Sequence, residues 1–268
     1  MSAISPKARK EITRQIDFVV KKYLQKAAIS GTVNSGNPFV MALLKDFEPL
    51  LHRIHGLKTS LGNEMEKIAE IIAIEAWGKS NVLRKTKLEV SLPQNVFQKI
   101  DTILNGLSNV KFHPNYSLEK KEILHSCRNP SKKTEKHKYE FDLRLYDSAK
   151  KNYYFLEMKG PDPNTTEVPG AKRRLLALLA YGHINFKTAK VDSVIGVYYN
   201  NKHPKPYRNP KMLNYFDPAG DLIVHDAFWN FVGKNSSTYA ELLQLFETFG
   251  SKNKNIIWDG FSKLIGVK

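Results

Sequence analysis

Two short stretches decide the fold: Tyr139-Glu140-Phe141-Asp142-Leu143-Arg144-Leu145 and Tyr153-Tyr154-Phe155-Leu156-Glu157-Met158-Lys159. The first alternates apolar and polar residues, which is typical of a half-buried strand. The second is aromatic and apolar until it ends in a carboxylate and a lysine, which also favours a strand. The polar stretch 147–152 between them predicts a turn. Together these features predict a β-hairpin.

The predicted hairpin would bring three charged side chains onto one face. If the turn is centred between Ala149 and Lys150, Asp142 faces Glu157 across an antiparallel ladder, with their Cβ atoms roughly 5 Å apart. Lys159 lies two residues beyond Glu157, on the same face and roughly 7 Å along the strand. We therefore expect two carboxylates and one ammonium group close together.

This trio has a specific chemical use. Two carboxylates at that separation repel each other unless a positive charge lies between them. Oxygen ligands favour a hard cation, and Mg²⁺ suits a site with one or two protein carboxylates. The pattern thus predicts a phosphodiester hydrolase in which Asp142 and Glu157 bind Mg²⁺, while Lys159 orients the attacking water or neutralises the pentacovalent transition state. In a chain with 25% charged residues, the alternative is that these groups only form salt bridges or face solvent.

The same residues resemble a known family signature. Phe141-Asp142 followed by Phe155-Leu156-Glu157-Met158-Lys159-Gly160 is similar to the PD-(D/E)xK nuclease motif, with Phe141 where proline is usual. The resemblance implies an α/β fold with a restriction-endonuclease-like core, in which a central mixed β-sheet is flanked by α-helices. It also implies the metal-binding and catalytic roles given above.

A helix predicted ahead of the hairpin supplies a further candidate ligand. Residues 60–78 have helical spacing of apolar side chains, and Gly78 ends the pattern. Such a helix often contributes a glutamate to the metal site in the PD-(D/E)xK family, and the resemblance implies Glu66 for this role. Glu64 and Glu70 are competitors. The alternative is that all three are solvated charges on the helix surface.

The segment after the hairpin predicts a β-α-β crossover. Residues 161–170 are rich in proline and predict a loop, and a helix is expected to begin near Ala171. Residues 194–199 then predict a buried strand parallel to 153–159, which would make the catalytic strand central. Basic residues at a helix N-terminus oppose its dipole and favour an external anion such as DNA phosphate, unless they extend from a buried helix to solvent. The candidate DNA-binding residues here are Lys172, Arg173 and Arg174.

Further candidates for DNA contact lie in two basic segments. Residues 200–211 are rich in asparagine, proline and basic residues, and residues 128–138 precede the first hairpin strand. Asparagine can pair with adenine, and arginine or lysine with guanine, although an ordinary solvated loop has a similar composition. The candidates from these segments are Asn200, Lys202, Lys205, Arg208 and Lys138.

Composition agrees with an intracellular enzyme that acts on nucleic acid. A net charge of +16 favours a polyanionic partner. The single cysteine, Cys127, excludes an intramolecular disulfide and a cysteine-cluster zinc site. No export signal or membrane span is recognised, so we expect a cytoplasmic protein without a membrane partner. The length suits one catalytic domain over residues 1–268, with a helical N-terminal region over about 1–80.

A looser resemblance over about residues 60–250 narrows the class. The segments Gly170-Ala171-Lys172-Arg173 and Phe228-Trp229-Asn230-Phe231 resemble parts of small type II restriction endonucleases, among them enzymes that cut GGNCC-like sites. This implies Mg²⁺-dependent hydrolysis of double-stranded DNA at a short palindrome, leaving 5′-phosphates. A palindrome implies a twofold homodimer, and restriction implies a cognate DNA methyltransferase as a functional partner. A structure-selective or repair nuclease and a non-catalytic DNA-binding protein remain alternatives.

Overall fold

The computed structural model describes residues 2–25 and 48–262, which form two compact units. The larger unit contains residues 72–239, and the smaller unit combines the described residues before 72 with those from 240 onwards. None of the helices in these described ranges has the length and apolar character needed to cross a membrane. The single catalytic domain expected from the sequence stays a prediction.

A five-stranded mixed sheet lies at the centre of the larger unit. Its strands stand in chain order: β1 (Val82–Pro93), β2 (Thr134–Asp147), β3 (Asn152–Lys159), β4 (Lys190–Val197) and β5 (Leu222–Val224). The pairs β1–β2 and β2–β3 are antiparallel, whereas β3–β4 and β4–β5 are parallel. The predicted hairpin, the parallel crossover and the central position of β3 are therefore confirmed.

Helices flank this sheet and build the smaller unit, which confirms the predicted α/β class. In chain order they are α1 (Pro6–Gln25), α2 (Glu48–Trp77), α3 (Gln94–Ser108), α4 (Tyr116–Arg128), α5 (Glu167–Asn185), α6 (Pro210–Leu213), α7 (Asp226–Val232), α8 (Thr238–Lys252) and α9 (Lys254–Ser262). A short 3₁₀ turn, Lys79–Asn81, precedes β1.

The N-terminal helices agree with the sequence pattern. Helix α1 buries its apolar stripe, which includes Ile12 and Ile16. Helix α2 ends at Trp77, and Gly78 follows with a φ of +84°, a backbone conformation that glycine adopts without steric cost. The predicted helical N-terminal region and the predicted end of its second helix are therefore confirmed for the described residues.

The β2–β3 hairpin has the register that the sequence predicts. Leu143 pairs with Leu156, which centres the turn between Ala149 and Lys150. The carboxylate of Asp147 accepts hydrogen bonds from the backbone N–H groups of Ala149 and Lys150, each at 3.1 Å. A side chain that satisfies two turn amides in this way stabilises the connection between the strands.

Helix α5 covers β3 and β4 closely. A Cβ atom added at Gly182 would lie only 2.7 Å from the Val191 side chain and 3.1 Å from the Phe155 ring. Only glycine therefore allows the helix this close to the sheet. The core between them contains buried apolar side chains from helices and strands, including Val90, Leu92, Val96, Ile100, Phe141, Phe155, Leu176 and Leu179.

Helix α5 begins at Glu167, four residues before the predicted start near Ala171. The prediction of a loop through Gly170 is wrong for this part of the segment. Pro169 is tolerated because it lies in the first helical turn, where a backbone N–H has no partner within the helix. As a consequence, the basic residues 172–174 lie beyond the first turn and not at the helix N-terminus.

Candidate functional site

The open end of the β2–β3 hairpin places Asp142 against β3. The backbone ladder between the two strands ends at Leu143, so Asp142 is the next residue beyond it. Its Oδ2 atom accepts a hydrogen bond from the backbone N–H of Met158 at 2.6 Å. Met158 stands between Glu157 and Lys159 in the chain, and the Asp142 carboxylate is therefore fixed beside the two other residues of the predicted trio.

Two cations hold the buried carboxylate of Glu157, which is only 4% exposed. The Arg174 guanidinium on α5 donates two hydrogen bonds, from Nη2 to Oε1 at 2.6 Å and from Nε to Oε2 at 3.0 Å. The Lys159 Nζ atom lies 3.0 Å from Oε1. The predicted closeness of Glu157 and Lys159 is confirmed, and Arg174 joins them in a contact that the local sequence pattern did not indicate.

The charges of Asp142, Glu157, Lys159 and Arg174, here called the active-site cluster, act on one another. Burial lowers the pKa of the Arg174 guanidinium, but the hydrogen bonds and charge of Glu157 and the charge of Asp142 together raise it above its usual value. Because Asp142 contributes to this shift, its carboxylate lies within electrostatic reach of Arg174. The cluster combines two carboxylates with two cations.

The donor set of the active-site cluster fits a hard divalent cation. Asp142 and Glu157 offer carboxylate oxygens, and Mg²⁺ commonly takes one or two protein carboxylates while it keeps several waters. In the described ranges, no three His, Cys, Asp or Glu side chains converge as they would in a closed metal cage. Two carboxylates leave coordination positions for the waters and phosphate oxygens that complete the shell of Mg²⁺.

The three glutamates considered as a further ligand all lie on α2. Glu64 is buried, and its Oε1 atom forms a salt bridge with Lys67 Nζ at 2.8 Å. Glu66 and Glu70 are half-buried, and both interact with other residues. All three belong to the smaller unit, whereas the hairpin belongs to the larger one. The choice of Glu66 as a metal ligand stays a prediction.

Lys172 has no exposed surface. Its Nζ atom lies 2.5 Å from Glu119 Oε2 and 2.6 Å from Asp221 Oδ2, and the ring of Phe216 is 5.0 Å away. A phosphate group cannot reach an ammonium group in this position, so the prediction that Lys172 binds DNA is wrong. The physical reason is that Lys172 faces inward from the second turn of α5, where buried carboxylates neutralise it.

The two arginines that follow also have carboxylate partners within the protein. Arg173 forms an ion pair with Asp101, and their side chains are 38% and 48% exposed. Arg174 is partly exposed and binds Glu157. The anion that the basic segment was expected to require is thus supplied by the protein itself. Contacts of Arg173 and Arg174 with DNA stay predictions.

Residues 200–211, here called the basic loop, follow β4 and are mostly exposed. Lys202, Lys205 and Arg208 are exposed, and none of them forms a salt bridge to another described residue. Asn200 differs, because its Nδ2 donates to the Lys205 carbonyl at 2.7 Å and its Oδ1 accepts from the Lys202 N–H at 3.0 Å. Asn200 therefore shapes the loop, and its contact with a base stays a prediction.

The basic loop is anchored to the segment that follows β3. The Tyr207 hydroxyl and the Asn209 side-chain amide each donate to the Pro161 carbonyl at 2.9 Å. Lys211 Nζ lies 2.8 Å from Asp162 Oδ1, and hydrogen bonds from Lys211 and Asn209 hold the pKa of Asp162 below its usual value. These contacts join residues about fifty positions apart, and no local sequence signal indicated them.

Lys138 is exposed on β2 and lies opposite Glu89 of β1. Its neighbour on the same face, Lys136, forms the ion pair with Glu89 at 3.1 Å. The basic segment 128–138 is thus partly neutralised within the sheet, and Lys138 keeps its ammonium group in solvent. A role of Lys138 in DNA binding stays a prediction.

Most of the chain matches the sequence model of one known protein family. The model of the family described as type II restriction endonuclease HinfI matches residues 4–250. The chain belongs to this HinfI family. The match spans the hairpin, α5 and the basic loop, so all the site residues described above fall within it. It confirms the resemblance to type II restriction endonucleases, whereas membership of the PD-(D/E)xK superfamily stays a prediction.

Three relatives of this HinfI-family chain carry the same type of name. It is 26% identical over 214 residues to the type II restriction enzyme MjaII of Methanocaldococcus jannaschii. The aligned residues make up 75% of this chain but only 55% of MjaII. It is 24% identical over 238 residues to HgiEI of Herpetosiphon aurantiacus, covering 86% of this chain and 82% of HgiEI. HgiBI of the same organism is 24% identical over 220 residues, with 80% and 77% covered. The chain thus spans about half the length of MjaII and most of the other two.

Proposed function

We propose that this protein is a type II restriction endonuclease, which hydrolyses double-stranded DNA at a specific short site in a Mg²⁺-dependent reaction and leaves 5′-phosphates. The observation that carries the proposal is the active-site cluster, in which Glu157 is within 3.0 Å of Lys159 and Asp142 is bonded to the strand between them. Membership of the HinfI family supports the same activity. The net charge of +16 supports a polyanionic substrate.

The residues of the cluster divide the chemistry between them. Asp142 and Glu157 would hold Mg²⁺, with Glu66 as a proposed further ligand. When bound, the ion supplies charge stabilisation at the phosphate and lowers the pKa of a water molecule. The Met158 N–H fixes the Asp142 carboxylate before substrate arrives. Lys159 is 22% exposed, so its ammonium group can donate to a water that enters from solvent and orient it for attack.

DNA contact would come from basic side chains around this cluster. Lys202, Lys205 and Arg208 are exposed on the basic loop, which is anchored beside the catalytic strand through Pro161. Phosphate contacts from this loop would position the duplex, and arginine or asparagine contacts to base edges would select the sequence. We propose Asn200, Lys138, Arg173 and Arg174 as further DNA-contact residues.

The biological setting follows from the proposed reaction. Cutting both strands of a palindrome, for which a GGNCC-like sequence is our candidate, requires a twofold homodimer because the symmetry of the protein matches that of the duplex. A cognate DNA methyltransferase would protect the host genome. The protein would act in the cytoplasm, where the host and invading DNA are found.

Digestion of a fully sequenced plasmid tests the proposal. The purified protein is incubated with Mg²⁺ or with EDTA, and the ends of the fragments are mapped by sequencing. We expect discrete fragments whose ends share one short palindrome. Asp142→Ala and Glu157→Ala should abolish cutting and leave most DNA affinity. A smear would support a structure-selective nuclease instead, and an intact plasmid would support a non-catalytic DNA-binding protein.

A further inference from the structure

Arg174 occupies both oxygens of the carboxylate that is proposed to bind metal. It donates to Glu157 Oε1 at 2.6 Å and to Oε2 at 3.0 Å, and two parallel hydrogen bonds of this kind are among the strongest that a carboxylate forms. Lys159 adds a third contact at 3.0 Å. Since Glu157 is almost fully buried, water does not compete for these oxygens. The protein therefore neutralises this carboxylate with its own cations.

A divalent cation and the guanidinium compete for the same atoms. A carboxylate offers about four lone-pair positions. Arg174 and Lys159 use three of those on Glu157, so a cation has to take the remaining position on Oε2, beside the guanidinium, or displace one of these contacts. The positive charge of Arg174 also repels the divalent cation at close range, because buried charges interact more strongly than charges in water. Both effects weaken the binding of a divalent cation, and both disappear if the guanidinium is removed or moves away.

We propose that Arg174 sets the divalent-cation affinity of the active-site cluster by competing for Glu157. Arg174 is then a positioning residue: it keeps the carboxylate ordered and its cation affinity low while no substrate is bound. Its Nη1 group forms no hydrogen bond to the described residues, so the guanidinium retains donors with which it can bind a phosphate oxygen of DNA. This inference rests on the proposed metal-dependent nuclease activity.

If the ion pair between Arg174 and Glu157 is merely structural, removal of Arg174 should change the cation affinity in the opposite direction. If Arg174 only supports Glu157, its removal lets the carboxylate move and weakens cation binding. If Arg174 competes, its removal strengthens cation binding. The direction of the change in affinity therefore separates the two roles, and general damage to the fold cannot produce a tighter site.

Arg173 provides a matched control for the loss of charge. It is the neighbouring residue on α5 and also pairs with a carboxylate, but its partner is Asp101 and not Glu157. Arg173→Met removes the same charge from the same helix and leaves the contacts of Glu157 intact. An effect found only in Arg174→Met must therefore come from the contact with Glu157.

The experiment measures Mn²⁺ binding to the full chain without DNA, from the electron paramagnetic resonance signal of free Mn²⁺. We expect Arg174→Met to bind Mn²⁺ about tenfold more tightly than the wild type, as removal of one close positive charge predicts. Arg173→Met should stay within about twofold of the wild type, and Glu157→Gln should lose the site. Arg174→Lys keeps the charge without the planar fork and should lie in between, and it carries the test if Arg174→Met does not fold.

The outcomes distinguish this inference from the proposed function. Equal or weaker Mn²⁺ binding by Arg174→Met, at a site that Glu157→Gln removes, would overturn the competition and leave the nuclease proposal standing. If Glu157→Gln leaves Mn²⁺ binding unchanged, Glu157 is not a metal ligand and both proposals fail for this residue. A cleavage assay adds a second readout, because Arg174→Met should reach its half-maximal rate at a lower Mg²⁺ concentration.

Discussion

Replacement of Lys172 by methionine would expose the energetic role of the buried charge cluster, which consists of Lys172, Glu119 and Asp221. All three residues are at most 4% exposed, and they join α5 to α4 and to the start of β5. Methionine has a similar length and no charge, so the substitution removes the ammonium group and keeps most of the apolar packing. Two buried carboxylates then remain without a cation.

The magnitude follows from this geometry. Removal of one partner from a buried ion pair costs about 3–5 kcal/mol, because the remaining charge is left uncompensated. Since two carboxylates lose the same partner, we expect a loss in the upper half of that range, about 4–5 kcal/mol. A typical domain is stable by only about 5–15 kcal/mol, so the loss is at least about a quarter of the total.

Urea unfolding followed by far-ultraviolet circular dichroism measures this loss. At pH 7.5, Lys172→Met should unfold at a much lower urea concentration than the wild type. Arg173→Met should change the free energy of unfolding by less than about 1 kcal/mol, because its ion pair with Asp101 is exposed. At pH 5 the deficit of Lys172→Met should shrink, since protonation removes the uncompensated charge. A loss below about 1 kcal/mol at pH 7.5, or equal losses for the two variants, would refute the reasoning.

Two further predictions concern pH and salt. Burial raises the pKa of Asp221 to about 6 from 3.8, although Lys172 acts to lower it, so the folded protein binds this proton more tightly than the unfolded chain does. The resulting stabilisation is present at low pH and is lost as the pH rises from 3.8 to about 6. The free energy of unfolding should therefore fall across that pH range, and Asp221→Asn should remove this part of its pH dependence. In the basic loop, Lys205→Ala and Arg208→Ala should each weaken DNA binding and reduce the dependence of log K on log salt by about one unit, measured by fluorescence anisotropy. An unchanged salt dependence would show that these two side chains do not contact phosphate.

Local pattern was sufficient for the hairpin and its surroundings. Alternation of apolar and polar residues identified β2, and the turn residues after it set the register in which Leu143 pairs with Leu156. The apolar segment between two buried strands was enough to predict the parallel crossover and the central position of β3. Strand period and turn chemistry depend on residues close together in the chain, so one sequence suffices to predict them.

Only the tertiary structure decided the partners of the charged residues. Lys172, Arg173 and Arg174 are consecutive, yet they bind Asp221, Asp101 and Glu157, which lie 49, 72 and 17 positions away. A charge run has the same appearance in the sequence whether it faces solvent, DNA or a buried carboxylate, because its environment depends on which distant elements pack beside it. By itself, the sequence determined the three central strands, the hairpin and the carboxylates at its end, whereas the edge strands β1 and β5 were found only in the structure. The packing of α5 on the sheet determined that Arg174 meets Glu157, since this contact forms only when the helix lies against the strand.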